Sequence, residues 1–244
     1  MSRKINLTPR LQMAADMVVR NERNGWLVDV GTDHAYLPAW LLQNHRGQFA
    51  YVIATDLRRG PLDRARQTAR EAGQDIDFRL CDGLAAVDTR EADLIVIAGM
   101  GGETIVHILK NAPWSDWRGD GPMEDKVLVL QPMSSFPDLR KWLQENGFSI
   151  EEERLAREGD TLYTALLVRA GEMAPLTPAE LWAGKNNHDP LRGVWLDMWA
   201  ARVRRALEGM AQARGEGVSV RKRELEAVLS GLIDMKKEWE LWQQ

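Results

Sequence analysis

Residues Trp26–Pro38 read WLVDVGTDHAYLP. The apolar run Trp26–Val30 ends in Asp29-Val30-Gly31, and a second acid, Asp33, follows at once. Such a run, closed by a glycine and entering a stretch of helical character, describes a buried strand, a tight turn and a helix over about Tyr36–Asn44. Pro38 is tolerable there only because it falls in the helix's first turn.

The same unit recurs outward from this stretch. Upstream, Thr8-Pro9 reads as N-cap and first residue of a helix to about Arg20, with Leu11, Ala14, Ala15 and Val18 on one apolar face. Downstream, strands are expected at Tyr51–Thr55, Ile76–Leu80, Leu94–Ala98 and Val127–Leu130. They end in Asp56, in Asp82-Gly83, in Gly99-Met100-Gly101-Gly102 and in Gln131-Pro132. Helices are expected over about 60–72, closed by Gly73, over 103–111, and from a Ser134 or Ser135 cap to Asn146. Trp114–Pro122 reads as loop. Phe148–Leu155 and Leu162–Val168, joined by REGD, read as an antiparallel hairpin at the sheet edge.

Strands alternating with helices imply an α/β fold: a Rossmann-like, mostly parallel, seven-stranded sheet covered on both faces. Gly171–Pro178 reads as a linker. Beyond it, Leu181–Met210 and Val218–Trp242 carry apolar residues at spacings of 3 and 4, separated by RGEG, and read as an α-helical coiled-coil hairpin. The expected division is 1–170 and 175–244. Trp182, Trp195, Trp199, Trp239 and Trp242 fall in the second part and read as packing residues rather than base-stacking platforms.

Composition bounds the function. With 44% hydrophobic and 28% charged residues the chain fits a soluble globular protein, and no apolar run reaches the roughly 20 residues of a membrane span. MSRKINLTPR lacks the apolar core of a signal peptide, so a cytoplasmic setting is expected. One cysteine, Cys81, excludes a disulfide framework and a cysteine zinc site, and reads as a small buried hydrophobe. His45, His107 and His188 show no metal spacing, so no metal is expected. Net charge is −4, with 21 Lys+Arg against 25 Asp+Glu in residues 1–170 and 11 against 11 in residues 171–244. Basic residues cluster locally at Arg202, Arg204, Arg205 and at Arg221-Lys222-Arg223, either as a solvated helix face or as phosphate contacts.

The strand ends carry the chemistry. In open α/β sheets ligands bind beyond the carboxyl ends of the strands, so Asp29/Gly31/Asp33, Asp56, Asp82-Gly83 and Gly99–Gly102 meet at one edge. The first turn has one glycine and two carboxylates, which would repel a pyrophosphate and attract a cationic sulfonium. That points to S-adenosylmethionine rather than a dinucleotide. Gly31 lets the backbone approach a ligand. Asp29 or Asp33 can attract the sulfonium or hold the amino group of the methionine part. Asp56, 25 residues after Gly31, is placed for ribose hydroxyls. Asp82 can accept from the adenine amine, and Gly99–Gly102 leave room for the methyl donor and an acceptor base. AGMGG offers no catalytic side chain for an exocyclic amine. A ring nitrogen of adenine attacks through its own lone pair, gives a cationic product, and needs a nearby carboxylate more than a base; Asp33 is the candidate. His34 either touches the substrate base or bonds to backbone near the turn.

LTPRLQMAADMV, DVGTDHAYLP, CDGL, IAGMGG and LQP followed by DLRKWL together make residues 5–170 resemble the bacterial tRNA adenine-22 N1-methyltransferases. The resemblance implies S-adenosylmethionine contacts at Asp29, Gly31, Asp33, His34, Asp56, Leu57, Asp82, Gly83 and Gly99. It implies a reaction pocket around Asp33, His34, Gly99, Met100, Gly101, Gln131 and Pro132, with Arg10 reaching an RNA phosphate or the pocket. It also implies a helical C-terminal domain that helps to hold tRNA, here through Arg202, Arg205, Arg221 and Arg223. The expected partner is tRNA, met by a monomer. A small-molecule methyltransferase and a non-catalytic RNA-binding protein are the alternatives.

Overall fold

The computed structural model describes residues 2–21, 25–113, 125–211 and 214–243; the loop expected at 114–122 lies outside them. The first part of the chain runs α1 (Pro9–Arg20), β1 (Gly25–Val30), α2 (Tyr36–Asn44), β2 (Phe49–Asp56), α3 (Arg59–Ala72), β3 (Asp77–Leu80), β4 (Leu94–Gly101), α4 (Gly102–Lys110), β5 (Val127–Ser134), α5 (Phe136–Glu145), β6 (Phe148–Glu158) and β7 (Thr161–Ala170). The seven strands lie in the order β3-β2-β1-β4-β5-β7-β6. Strands β1 to β5 are parallel, and β7 inserts antiparallel between β5 and β6. The hairpin therefore forms one end of the sheet, with only β6 at the edge.

Continuous apolar strands follow from a sheet covered on both faces. Leu27, Ala54, Val96, Val129 and Leu167 pack with Ala14 and Val18 of α1, Leu41 of α2 and Ala69 of α3. Their neighbours Val28, Ile53, Ile97, Leu130 and Val168 pack with Ile105 and Leu109 of α4 and Leu139 and Leu143 of α5. The alternation fixes the register, because a one-residue slip would exchange the two sets.

The helical arm departs from expectation. Instead of one helix over 181–210 there are two, α6 (Pro178–Ala183) and α7 (Arg192–Gly209), before α8 (Glu216–Trp242). Thr177 and Glu180 form a capping box at the start of α6. Gly184 at φ +82 ends it, and the segment up to Pro190 turns the chain. Two buried arginines seal this joint. Arg140 of α5 holds the Glu153 carboxylate at 2.8 and 3.2 Å and donates to the Leu181 and Trp182 carbonyls. Arg192 donates to the Ala183 and Gly184 carbonyls. Those carbonyls are the open C-terminal end of α6, where a cation is favoured.

The tryptophans of the arm pack. Trp182, Trp195 and Trp199 meet edge to face, Phe136 of α5 wedges against Trp195 and Trp199, and Trp242 lies exposed beside His188. Two expected caps are occupied without side-chain bonding: Thr8 precedes α1 and Ser135, at φ +51, precedes α5, and neither side chain closes a cap hydrogen bond.

Candidate active site

The turn after β1 is built by the backbone. The Gly31 and Thr32 N–H groups both donate to the Thr55 carbonyl of β2, at 2.9 and 3.0 Å. Gly31 sits at φ +69, and a β-carbon there would overlap the Met100 methyl. Asp33 at φ +49 and Ala35 at φ +54 hold the left-handed conformation without being glycine. Each costs roughly 1–3 kcal/mol, a strain that concentrates where function requires a fixed geometry.

Four acids stand along this edge. Asp29 is buried, and its Oδ2 accepts from the Thr32 hydroxyl at 2.6 Å. Burial pushes its carboxyl up to about 6, a rise that the Thr32 hydrogen bond opposes and the neighbouring Asp56 reinforces. Asp56 is also buried; its Oδ1 accepts from the Arg58 N–H at 2.9 Å and its Oδ2 from the Asp33 N–H at 3.3 Å. Asp33 itself turns outward. Its carboxylate takes a hydrogen bond from Arg64 of α3 at 2.9 Å, and His34 lies 3.6 Å away, stacked on Tyr36. Leu57 is exposed beside Asp56, and Asp82 is exposed after β3. Gly83 is required by packing: a β-carbon there would come within 2.8 Å of Ile108 on α4. Cys81 is half-buried, its thiol pushed up chiefly by desolvation, as suits a packing residue.

A cavity of about 360 Å³ opens between these turns and α1. It brings together Asp29, Gly31, Asp33, His34, Gly99 and Arg10 from among the residues singled out in the sequence. Thr8, Thr32 and Tyr36 also line it and were not foreseen. Asp56 joins the same edge through its bond to Asp33. Gln131 and Pro132 are buried, and Gln131 meets the cavity through its hydrogen bonds to Arg10 and Gly99. Tyr163 of β7, under the Arg10 guanidinium at 5.6 Å, had no sequence signal, because the placement of β7 beside β5 is not written locally. Arg202, Arg205, Arg221 and Arg223 are exposed on the arm and do not line the cavity. A larger hollow of about 890 Å³ faces β2 and β3 and is lined by Trp26, Tyr51, Arg66 and Arg79. It contains none of the strand-end acids. Among the described residues no cluster of metal-binding side chains occurs and no helix is long and apolar enough to cross a membrane.

A ligand with a cationic end, a diol and an adenine amine matches this donor set: Asp29 in low dielectric, Asp56 at the end of β2, Asp82 at the end of β3. That sheet order with those acids defines a methyltransferase, and the profile of the methyltransferase domain family matches residues 7–166, so the chain belongs to that family. Over 172 residues it is 33% identical to the tRNA (adenine(22)-N(1))-methyltransferase of Bacillus subtilis (strain 168), covering 69% of this chain and 67% of the relative. The crystal structure of the B. subtilis m1A22 tRNA methyltransferase TrmK superposes with a TM-score of 0.76 at 26% identity, covering 96% of this chain and all of that one. A Streptococcus pneumoniae protein solved in complex with S-adenosyl-L-methionine is 31% identical, with a TM-score of 0.72 over 92% of this chain and all of that one. Within the methyltransferases, the chain belongs to the tRNA (adenine(22)-N(1))-methyltransferase family.

Proposed function

We propose that this protein transfers a methyl group from S-adenosylmethionine to N1 of adenine 22 in tRNA. The observation that carries this is the row Asp29, Asp56 and Asp82 along one sheet edge, beside a cavity whose opposite wall is the cation Arg10. S-adenosylmethionine supplies an electrophilic methyl group on a positively charged sulfur. Asp29 attracts that charge, Asp56 takes the ribose hydroxyls, and Asp82 takes the adenine amine with Leu57 against the ring. Gly31, Gly83 and Gly99 give the backbone its close approaches and turns.

The N1 lone pair lies in the plane of the adenine ring, so the new N–C bond forms without loss of a proton. The C–S bond breaks as it forms, its electrons return to sulfur, and the positive charge passes to the adenine. The protein's part is positioning and exclusion of water. Asp33, His34, Gly99 and Met100 surround the transfer. Because Arg64 already matches the Asp33 carboxylate, Asp33 acts by its backbone position, and the electrostatic role falls to Asp29.

We further assign the RNA grip to Arg202, Arg205, Arg221 and Arg223 of the arm, with the chain divided into units 1–170 and 175–244, acting as a monomer in the cytoplasm. The test is methyl transfer from labelled S-adenosylmethionine to unmodified tRNA transcripts, with the product nucleotide mapped by mass spectrometry. Label at N1 of adenine 22 supports the assignment. Cofactor binding without label on RNA would turn it to a small-molecule acceptor.

A further inference from the structure

Gly99 is the extra residue of a bulge. Ala98 pairs with Gln131 and Met100 with Pro132, so Gly99 has no partner on β5. Its N–H must find an acceptor elsewhere. It finds the side-chain Oε1 of Gln131 at 3.1 Å. The same oxygen accepts from Arg10 Nη1 at 2.7 Å, and Gln131 Nε2 donates to the Pro132 carbonyl at 2.9 Å. The amide's orientation is dictated by chemistry. Turned over, its NH₂ would face a guanidinium and a backbone N–H, which are donors only. Gln131 is fully buried and does not itself line the cavity.

Two groups depend on that one oxygen. The bulge, with Gly99 at φ +79, sets the Met100 side chain back across β1 onto Gly31. The Arg10 guanidinium is held at the cavity by a neutral amide and the Tyr163 ring; Glu158 Oε2 accepts from the Arg10 backbone N–H at 3.5 Å, but among the described residues no carboxylate pairs with the guanidinium. An arginine oriented by an amide keeps its full charge and its remaining N–H groups for an anion.

We propose that Gln131 is a positioning residue: its carbonyl oxygen fixes Arg10, uncompensated, for an RNA phosphate beside the target adenine, and fixes the Gly99 bulge that seats Met100 over Gly31. This rests on the methyltransferase reading above. The amide is essential because it is neutral. Gln131→Glu keeps an acceptor for both partners but neutralises Arg10 and gives up the donor to the Pro132 carbonyl, whereas Gln131→Met removes acceptor and donor together.

The experiment measures steady-state kinetics on tRNA against salt, with S-adenosylmethionine binding by calorimetry. The variants are Gln131→Glu, Gln131→Met, Arg10→Ala and the double variant Arg10→Ala/Gln131→Glu. Gln131→Glu should raise KM for tRNA about tenfold, as for one charge-assisted hydrogen bond. It should also lower the slope of log affinity against log salt by about 1, with cofactor binding retained. Arg10→Ala should show the same change in slope, and adding Gln131→Glu to it should change KM no further. Gln131→Met should lower kcat as well, because the bulge loses its acceptor. An unchanged salt slope in Gln131→Glu, or KM effects that add in the double variant, would overturn the proposal. Arg10→Ala, which leaves the strand untouched, decides the matter if a Gln131 variant folds poorly. A wild-type protein that methylates no tRNA would instead overturn the functional assignment on which the proposal stands.

Discussion

The Asp33 N–H donates to the Asp56 carboxylate across 3.3 Å, tying the turn after β1 to the end of β2. One buried acid thereby shapes the turn after β1 while, on the proposed function, standing ready for the ribose. The two halves of the proposed cofactor site are one hydrogen-bonded unit.

Asp56→Ala should therefore weaken S-adenosylmethionine binding by more than the loss of the ribose contact. Hydrogen bonds to a charged group contribute roughly 1.5–3 kcal/mol each, so a loss of tenfold to a hundredfold or more is expected. Calorimetric titration checks this. Unchanged affinity would remove Asp56 from the site.

Asp29 predicts a pH dependence. Its folded carboxyl is raised to about 6, above the ordinary value of 3.8. A raised acid favours the folded state below its unfolded value, and that contribution is lost as pH rises through about 6. The ligand-free protein should therefore lose stability between about pH 4 and 6 on this account, by an amount of order 2–3 kcal/mol. Binding of a cation requires the ionised form, so affinity for S-adenosylmethionine should fall as pH drops below about 6. Asp29→Asn should flatten both curves, raise the Tm of the ligand-free protein at pH 8 and weaken cofactor binding. Identical pH curves for variant and wild type would contradict the assignment.

Phe136 begins α5, a few residues after Gln131, and lies within 5.8 Å of Trp195 and 5.5 Å of Trp199 by ring centroids. Phe136→Ala should cost about 3–5 kcal/mol, the usual range for a buried aromatic. The loss should loosen the arm first. Hydrogen exchange should rise over α6 and α7, and KM for tRNA should increase while cofactor affinity holds. Equal weakening of both ligands would mean that the wedge supports the cofactor site directly.

On the arm, Arg221 pairs with Glu224 at 3.1 Å and Arg202 lies over Trp199 at 5.2 Å. Arg223 is exposed, with no ion pair among the described residues. Arg223→Glu should therefore weaken RNA binding more than Arg221→Ala, and each should lower the salt slope by about 1 or less. Filter-binding assays at several salt concentrations distinguish them. Equal affinities throughout would place the RNA grip elsewhere.

The sheet was legible because β1, β2, β4 and β5 carry short apolar runs covered on both faces, and each of the first three strands leads into an acid at the turn. What escaped was set by partners distant in sequence. Gly99 read as open space for a base; it is a bulge whose N–H is answered by Gln131, 32 residues away. Asp33 read as the carboxylate beside the reacting base, but once α3 packs against β2 and β3 Arg64 faces it. Gly83 read as a cofactor glycine, and Ile108 explains it equally by packing. The break after α6 had a local signal in Gly184 and Pro190, which bracket the polar run 185–189, but the apolar residues on either side read as one helix. What the sequence hid is that Arg192, a residue type that ordinarily marks a surface, is buried against the end of α6.

That joint has a thermal consequence. Prising the arm from the sheet would strand the Arg140 guanidinium without the Leu181 and Trp182 carbonyls it now serves, and would part Phe136 from its tryptophans. Arm and sheet should then surrender their structure together, in a single cooperative heat-absorption peak, and the arm should behave as a rigid calliper whose opening is set before any RNA arrives.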